Sequence, residues 1–291
     1  MKKILITGAN SYIGTSFEHW IQQWPEQYQV ETINMKDSSW IRKDFSEYEV
    51  IFHVAGIAHV SSSPKLKELY YKVNRDLTIE TAMKAKKDGV KQFIFMSSII
   101  VYGDSSPINQ KRIIDKNTMP KPSNFYGDSK IQAEEGILPL MDASFNIVVL
   151  RPPMIYGKNS KGNYPKLSKI AKKLPIFPDI NNCRSMIYID NLCEFIRAII
   201  NNNDKGIFYP QNKEYVKTSE LVKLIANVNG KKVRLVEFFN PIIKVMSMKF
   251  VIFDKMFGNL AYDMDLSSYK DDYQIKGLYE SILETEKEKS L

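Results

Sequence analysis

KILITGANSYIG, at residues 3–14, decides the fold of this chain. Its first five residues form an apolar run rich in β-branched side chains, which predicts a buried strand, and a helical pattern begins at Tyr12. Between them lies a glycine-rich turn: Gly8 and Gly14 take the outer positions of a Gly-x-x-Gly-x-x-Gly pattern, and Ser11 takes the middle one. Such a turn lets backbone N–H groups and the helix N-terminus approach a pyrophosphate. The stretch therefore predicts a dinucleotide-binding unit.

The alternation of strand and helix continues through the first half of the chain. Four further strand-like runs are VETIN (30–34), VIFHV (50–54), QFIFMS (92–97) and NIVVLR (146–151), and helical patterns cover 12–24, 64–88 and 126–141. This alternation predicts an α/β fold with a doubly wound parallel sheet. After residue 151 the pattern loosens into short helices and loops. We therefore expect a dinucleotide-binding domain at 1–151 and a smaller, mostly helical substrate-binding region at 152–291, from which the chain is free to cross back.

The composition argues against several classes of partner. The formal net charge is +8 and the pI is about 9.1, but the lysines are scattered and form no basic tract of the kind that follows a phosphate backbone. Two cysteines and three histidines are too few for a metal cluster or a disulfide framework. No run of about 18 apolar residues is present, and for the apolar stretch 241–257, which lysines interrupt, a packed helix is favoured over a membrane-surface helix. We expect a cytoplasmic protein with no metal, no nucleic-acid partner and no membrane span.

The end of the second strand-like run bears on the choice of dinucleotide. An acidic side chain at this place usually takes the ribose hydroxyls of the adenosine. Here the run ends with Asn34, and the cationic Lys36 and Arg42 follow it. Loss of a carboxylate and gain of positive charge suit a 2′-phosphate. The sequence therefore favours NADP(H) over NAD(H).

A tyrosine and a lysine stand four residues apart at Tyr126 and Lys130, within NFYGDSK. Residues at this spacing are neighbours on one face of a helix. The same spacing recurs at Tyr209 and Lys213, and roughly two such pairs are expected by chance in a chain of this composition. The pair acquires meaning only from the motifs around it.

Taken together, the motifs resemble the extended short-chain dehydrogenase/reductase family, the NAD-dependent sugar epimerases and dehydratases. The resemblance runs from the first strand nearly to the end of the chain, and it implies a Rossmann-like sheet. It is carried by TGANSYIG (7–14), Asp44-Phe45, VIFHVAGIAH (50–59), VNRDLT (73–78), FMSSIIVYG (95–103), YGDSK (126–130), RPPMIYG (151–157) and RSMIYIDNL (184–192).

The resemblance implies that Ser98, Tyr126 and Lys130 are the catalytic serine, tyrosine and lysine. In the family, the tyrosine exchanges a proton with a sugar oxygen while a hydride moves between carbon and nicotinamide. The lysine favours the ionised phenol and holds the nicotinamide ribose. The serine hydrogen-bonds the same sugar oxygen. The second pair is excluded, because Pro210 lies within it and no serine-ended strand precedes it.

The resemblance also implies the remaining contacts and a possible homodimer. The cofactor-binding residues are Gly8, Ser11, Tyr12, Ile13, Gly14, Asn34, Lys36, Asp44, Phe45, Ala55, Gly56, Asn74, Ser97, Tyr126, Lys130, Pro153 and Ile155. The residues implied to bind a UDP-sugar are Ser98, Tyr126, Met154, Asn163 and Arg184, the arginine at the diphosphate. His59 lies near the expected sugar site but is more typical of a structural histidine.

Departures from the family patterns narrow the reaction. The 4,6-dehydratases carry an Asp-Glu pair directly after the catalytic serine or threonine, whereas this chain has Ile99-Ile100, which exchange no protons. The 3,5-epimerase/reductases need a cysteine and a histidine at the sugar, and neither Cys183 nor Cys193 falls in a matching position. Ile99 and Ile100 also lack the acid–base groups that the decarboxylating members of the family use. Two reactions at C4 of the sugar remain, and both need only the serine, the tyrosine and the lysine.

The first reaction is reduction of a UDP-2-acetamido-4-keto-2,6-dideoxyhexose to UDP-N-acetylfucosamine or UDP-N-acetylquinovosamine, for surface polysaccharides. The second is 4-epimerisation of a UDP-sugar with a retained NAD. The stretch 151–192 resembles the 4-ketoreductases most, and Met154 replaces an asparagine that many epimerases carry. We therefore expect a reductase, with the epimerase as the alternative. A regulator that binds the dinucleotide without catalysis is the least favoured of the three.

Overall fold

A computed structural model describes residues 1–58, 63–108 and 110–287, so His59 lies outside the described residues. The strands are Lys2–Thr7 (β1), Tyr28–Ile33 (β2), Val50–His53 (β3), Gln92–Met96 (β4), Ile113–Ile114 (β5), Asn146–Leu150 (β6), Met154–Tyr156 (β7), Ile176–Pro178 (β8), Met186–Tyr188 (β9), Gly206–Phe208 (β10), Arg234–Val236 (β11) and Ala261–Tyr262 (β12). The α-helices are Tyr12–Ile21 (α1), Lys67–Tyr70 (α2), Leu77–Lys87 (α3), Phe125–Ile137 (α4), Asn163–Lys173 (α5), Ile189–Asn201 (α6), Thr218–Val228 (α7), Asn240–Ser247 (α8), Val251–Phe257 (α9) and Leu278–Glu286 (α10).

The described residues divide between two compact units. The first unit is formed from 1–103, 119–152 and 192–210, and the second from 104–118, 153–191 and 211–291. The chain therefore passes between the units more than once, and the expected boundary after residue 151 corresponds to only one of these passages.

A six-stranded parallel sheet is the centre of the first unit. Its strand order is β10-β6-β4-β3-β1-β2. Successive strands move outward from β1 to β2, and the chain then returns across β1 to begin β3 on its other side. In doubly wound sheets, ligands bind outside the carboxyl ends of the strands at such a reversal. The predicted α/β fold with a doubly wound parallel sheet is confirmed.

Burial explains why the central strands are almost wholly apolar. Every residue of β3 and of β4 is buried, as expected for parallel strands that helices cover on both faces. Each of the five strand-like runs of the sequence forms a strand of this sheet within one or two residues of the expected limits. The core of the unit contains Leu5, Phe45, Ile51, Phe93, Phe95, Ile137 and Val149, among others.

The segment predicted as one helix over 64–88 has a less regular backbone. It begins with a 3₁₀ turn at Pro64–Leu66, continues as α2, passes through a π-helical stretch at Tyr71–Asp76 and ends as α3. Gly89, with φ of 84°, follows its end. Short π segments are frequent at functional sites, and the buried Asn74 lies within this one.

The second unit contains short strand pairs and helices. The pairs are β7 with β9, β8 with β11 and β5 with β12, all parallel. The apolar stretch 241–257 forms two helices, α8 and α9, rather than one packed helix. Ile243 and Phe257 are buried, but several large apolar side chains between them are exposed, so the expectation of a packed helix holds for one side of the stretch only. Within the described ranges, no helix is long and apolar enough to cross a membrane.

Candidate active site

The turn after β1 has the backbone geometry of a phosphate cradle. Gly8 has φ of 106°, and a Cβ atom there would lie 2.8 Å from the backbone nitrogen of Ala55, just after β3. Only glycine permits both this conformation and this close approach. Ser11 caps α1, and its hydroxyl accepts a hydrogen bond of 3.1 Å from the N–H of Gly14. The position that glycine holds in the usual pattern therefore acts as an N-cap here. The remaining N–H groups of the first turn fit a pyrophosphate.

The residues expected at the adenosine ribose lie at the end of β2. The backbone N–H of Gly8 donates to the carbonyl of Ile33, so β2 ends beside the cradle. Asn34 and Lys36 follow and are both exposed, and the Asn34 side chain accepts a 3.0 Å hydrogen bond from the N–H of Lys36. This edge presents an amide and an ammonium group, and the residues present fit a dinucleotide with or without a 2′-phosphate.

Asn74 fixes the loop after β3. Its amide accepts from the N–H of Ile57 at 2.8 Å and donates to the carbonyl of the same residue at 3.1 Å. It also donates to the Ser129 hydroxyl at 3.1 Å, which ties the loop to α4. A Cβ atom on Gly56 would lie 3.1 Å from the Asn74 Oδ1 and 3.3 Å from the Nζ of Lys130. The predicted residue is therefore a support of the loop, and its side chain is fully buried.

Ser98 and Tyr126 meet at the carboxyl end of β4. Ser98 follows the strand and caps a 3₁₀ turn, Ile99–Tyr102. The start of α4 packs on that turn, because a Cβ atom on Gly127 would lie 2.7 Å from the carbonyl oxygen of Ile100. Asn124 caps α4, accepting from the N–H of Gly127 at 3.0 Å. This packing brings the Ser98 hydroxyl near Tyr126, where it lowers the pKa of the phenol.

Lys130 lies one turn further along α4 and is only 5 % exposed. Its ammonium donates to the carbonyl of Met96 at 2.9 Å and lies 4.6 Å from the ring centroid of Phe95. Burial lowers the pKa of Lys130 to about 8, and the carboxylate of Glu134 opposes this shift. The amine therefore remains mostly protonated at neutral pH.

The phenol of Tyr126 is shifted in the opposite direction. Burial raises the pKa of Tyr126 to about 12, and the hydrogen bond from Ser98 moderates the shift. The aromatic ring of Tyr70 packs at 5.8 Å between centroids and contributes to the apolar surroundings. At neutral pH the site of the protein alone thus holds a protonated phenol beside a protonated amine, which equips it to donate a proton.

A buried ion pair behind the site was not anticipated from the sequence. Glu134 and Arg151 are 1 % and 4 % exposed, and the Nε of Arg151 donates to both carboxylate oxygens at 3.1 and 3.2 Å. The hydroxyl of Ser97 also donates to Glu134, and Arg151 donates to the Tyr102 hydroxyl at 2.7 Å. Ser97, predicted to contact the cofactor, therefore uses its side chain to support this pair. One signal was available: Glu134 follows Lys130 by four residues, on the face of α4 that also carries the tyrosine.

The two residues predicted near the adenine, Asp44 and Phe45, differ in their exposure to solvent. Asp44 is exposed and accepts from the N–H of Ser46 at 2.8 Å. Phe45 is fully buried in the core, where the ammonium of Lys84 lies 4.7 Å from its ring centroid. The Phe45 ring faces the core, so the contact of this residue with the adenine stays a prediction that only its backbone atoms are placed to fulfil. Tyr12 and Ile13 lie in the first turn of α1 and are partly exposed.

The other predicted residues belong to the second unit. Pro153 is buried, Met154 and Ile155 are half-buried on β7, and Asn163 is exposed at the start of α5. Arg184 is partly buried, and its guanidinium donates to the carbonyls of Lys255 and Gly258 at 2.8 and 3.3 Å. Burial lowers the pKa of Arg184 to about 10. Across residues 1–58, 63–108 and 110–287, no carboxylate forms an ion pair with it that would compensate this charge.

The second tyrosine–lysine pair has structural contacts. The ring of Tyr209 lies 5.8 Å from the guanidinium carbon of Arg151, whereas Lys213 pairs with Asp272 at 3.2 Å. The two residues belong to different units. The structure therefore gives them separate surroundings, in agreement with the sequence argument that excluded the pair.

The sequence and the fold both have relatives among known proteins. Residues 4–210 match the NAD dependent epimerase/dehydratase family. The chain is 29% identical over 248 residues to the UDP-glucose 4-epimerase of Vibrio cholerae, covering 77% of this chain and 75% of that protein. It is 27% identical over 276 residues to the N-acetyl-alpha-D-glucosaminyl-diphospho-ditrans,octacis-undecaprenol 4-epimerase of Escherichia coli O157:H7, covering 88% and 81%. The UDP-glucuronic acid 4-epimerase of Bacillus cereus, solved with NAD, has a similar fold, with a TM-score of 0.72, 18% identity, and 97% and 96% coverage.

Proposed function

Because the chain belongs to the NAD dependent epimerase/dehydratase family, we propose that it reduces the C4 keto group of a UDP-2-acetamido-2,6-dideoxy-4-ketohexose. The products are UDP-N-acetylfucosamine or UDP-N-acetylquinovosamine, which serve surface polysaccharide biosynthesis. The observation that carries the proposal is the placement of Ser98, at the end of β4, and Tyr126, in the first turn of α4, at one site with the buried Lys130 one helical turn further on. The isoleucines that follow the serine transfer no protons, so the site is equipped for chemistry at one carbon only.

The family relationship makes the chain an NAD(P)-dependent sugar-nucleotide enzyme, with a nicotinamide dinucleotide as its cofactor. When bound, this cofactor supplies the hydride at C4. Tyr126 supplies the proton to the C4 oxygen, and its raised pKa keeps the phenol in the protonated form that reduction of a ketone requires. Ser98 donates a hydrogen bond to the same oxygen as negative charge develops there. The alcohol then carries one added hydride and one added proton, and Tyr126 regains its proton from water.

Lys130 assists by stabilising the phenolate that proton transfer leaves behind. Its pKa of about 8 keeps the amine mostly protonated at neutral pH. The carboxylate of Glu134 opposes the loss of that proton, and Glu134 is in turn held by Arg151. The buried pair is therefore a positioning element, which holds Lys130 and the end of β4 in place without contact to substrate.

We assign the adenosine end of the cofactor to Asn34 and Lys36, with NADPH as the preferred reductant. Both side chains are exposed at the end of β2 and neither carries negative charge. An ammonium group here favours the 2′-phosphate that a carboxylate would repel. A reductant that enters and leaves also fits a reductase better than a dinucleotide that stays bound.

In the second unit, we assign Arg184 to the diphosphate of the substrate, and Asn163 and Met154 to the substrate as well. The guanidinium of Arg184 is satisfied in part by two backbone carbonyls, which orient it and leave its charge uncompensated. A diphosphate provides that compensation through charge-assisted hydrogen bonds.

A second candidate is 4-epimerisation of a UDP-sugar with a retained NAD. The names of the two sequence relatives favour it, since both are 4-epimerases and one match spans 88% of this chain. The same three side chains would serve it, with Tyr126 acting first as base and then as acid.

Isotope transfer distinguishes the two reactions. The purified chain is mixed with UDP-2-acetamido-4-keto-2,6-dideoxyglucose and NADPH deuterated at the transferred position. Reduction predicts one NADPH consumed per product and one deuterium at C4, and NMR of the product then identifies the fuco or the quinovo sugar. No consumption, together with interconversion of UDP-N-acetylglucosamine and UDP-N-acetylgalactosamine without deuterium uptake, would replace the reductase by the epimerase.

A further inference from the structure

A cluster of exposed apolar side chains lies in the second unit, outside all residues assigned above. Seven of the seventeen large apolar side chains that are exposed among the described residues fall within fifteen consecutive positions. We call this the 238–252 surface; its exposed apolar members are Phe238, Ile242, Val245, Met246, Met248, Phe250 and Ile252. Single exposed apolar residues are common, but a concentration of this size marks an interaction site.

Helix α8 shows how the sequence creates this surface. Ile242, Val245 and Met246 have the i, i+3, i+4 spacing of one helical face, and all three are exposed, whereas Ile243 on the other side is buried. The buried side is anchored within the unit: the amide of Asn240 donates to the carbonyl of Asp179 at 2.9 Å. The apolar face is therefore presented outward by a helix held from behind.

Helix α9 is anchored in the same way. The Thr218 hydroxyl donates to the carbonyl of Met256 at 2.9 Å, and the rings of Phe177 and Phe257 pack 5.6 Å apart. Ile252, in the first turn of this helix, remains exposed. Between the helices, Met248 is 83 % exposed, the largest fraction among the apolar side chains of this stretch whose exposure is described.

The charges of the 238–252 surface all have one sign. Its only ionisable residues are Lys244 and Lys249, which are both exposed, and the stretch contains no aspartate or glutamate. Two acids flank the stretch: Glu237, directly before it, is exposed, whereas Asp254, after it, is turned inward and accepts from the N–H of Ile108 at 3.2 Å. Alternation of large apolar groups with ammonium groups is the pattern of helices that lie in the interface of an anionic membrane.

The polar side chains of the stretch favour lipid over a protein partner. The Ser247 hydroxyl donates to the carbonyl of Lys244 at 2.9 Å, and the amide of Asn240 is turned to Asp179 as described. The surface thus offers hydrocarbon and ammonium groups with little capacity for specific hydrogen bonding. Protein interfaces usually carry about one hydrogen bond per 100–200 Å². Helices of eight and seven residues are too short to span a bilayer, but they suffice to lie on it.

We propose that the 238–252 surface docks the protein onto the surface of a membrane that contains anionic phospholipids. The apolar side chains enter the region between headgroups and acyl chains, and Lys244 and Lys249 bind headgroup phosphates. The attachment is reversible and depends on ionic strength, because its electrostatic part is screened by salt. It is independent of the reaction proposed above.

Co-sedimentation of the full chain with vesicles tests this proposal. We expect binding to vesicles of equimolar phosphatidylcholine and phosphatidylglycerol, weaker binding as salt rises, and little binding to phosphatidylcholine alone. Lys244→Glu/Lys249→Glu should lower partition at least about 30-fold, since each lysine near such a surface contributes about fivefold. Met248→Ser should lower it roughly tenfold. Turnover of a soluble sugar nucleotide should stay unchanged in all of these variants.

Matched control variants distinguish docking by this surface from non-specific binding to vesicles. Lys116→Glu/Lys121→Glu makes the same change in net charge at exposed lysines elsewhere, and Met119→Ser removes a methionine that is 80 % exposed. Both controls should bind vesicles as the unaltered chain does. Equal losses in the controls would overturn the proposal in favour of non-specific charge attraction. Absence of vesicle binding, with a dimer that Met248→Ser dissociates, would instead assign the surface to a second copy of the chain.

Discussion

Replacement of Glu134 by glutamine should destabilise the first unit strongly. The substitution removes the carboxylate that pairs with the guanidinium of Arg151, which is only 4 % exposed. Removal of one member of a buried pair costs about 3–5 kcal/mol, because the remaining charge stays desolvated. Replacing both partners, as in Glu134→Gln/Arg151→Met, removes that charge as well and should recover most of the loss, to within about 1–2 kcal/mol of the starting protein.

Urea denaturation followed by tryptophan fluorescence measures this effect in the right place. The three tryptophans, Trp20, Trp24 and Trp40, all belong to the first unit, so the signal reports that unit. With a dependence of about 2–3 kcal/mol per molar urea, the single substitution should lower the midpoint by roughly 1–2 M, and the double substitution by much less. A single variant that unfolds within about 0.3 M of the unaltered chain would refute the reasoning, as would a double variant less stable than the single one.

Three further outcomes follow from the site. The pKa of Lys130 is lowered from its ordinary value of 10.5 to about 8, so between these values the unfolded chain binds more protons than the folded chain, and the free energy of unfolding should rise with pH. Lys130→Met should abolish this rise in urea titrations. An unchanged rise in that variant would show that Lys130 is not the group responsible for it. Gly8→Ala should abolish dinucleotide binding in calorimetry, because the added Cβ atom meets the backbone of Ala55. Gly89→Ala is the control: Gly89 also has a positive φ, of 84°, but an added Cβ atom has no neighbour within 4 Å, so this variant should bind the dinucleotide normally. Equal binding by the two variants would show that the dinucleotide does not use the turn at Gly8. Asn34→Asp should raise the Michaelis constant for NADPH about tenfold or more relative to NADH through repulsion of the 2′-phosphate, and an unchanged ratio would remove that contact.

Local sequence patterns predicted the parallel sheet because each central strand is a short and almost wholly apolar run. Local patterns placed Ser98 after a strand and Tyr126 near the start of a helix, but that the two residues share one site was implied only by the family resemblance. The π-helical stretch around Asn74 was not predictable, because no local pattern marks it and the Asn74 side chain within it is bound by residues distant in the sequence, Ile57 and Ser129.

Side-chain direction was the other limit of the sequence. Phe45 was assigned to the adenine from its motif, but the structure places the ring in the core. Glu134 and Arg151 each resemble a surface charge in the sequence, and although the spacing from Lys130 singles out Glu134, only the folded chain shows that it pairs with Arg151, directly after β6. The exposure of the 238–252 surface is equally a tertiary property, because an apolar helix with lysines is compatible with packing and with docking.

The central claim is tested most sharply by comparing the rate of hydride transfer in two variants, Tyr126→Phe and Tyr209→Phe. Loss of NADPH absorbance is followed in a single turnover with UDP-2-acetamido-4-keto-2,6-dideoxyglucose, and dinucleotide binding is measured separately by fluorescence. We expect Tyr126→Phe to lower the rate about 100-fold or more with unchanged cofactor binding, because general acid catalysis contributes this much. Tyr209→Phe alters the matched tyrosine, which also stands four residues before a lysine, and this variant should stay near the normal rate. Near-normal transfer by Tyr126→Phe, or no transfer by the unaltered chain, would contradict the central claim.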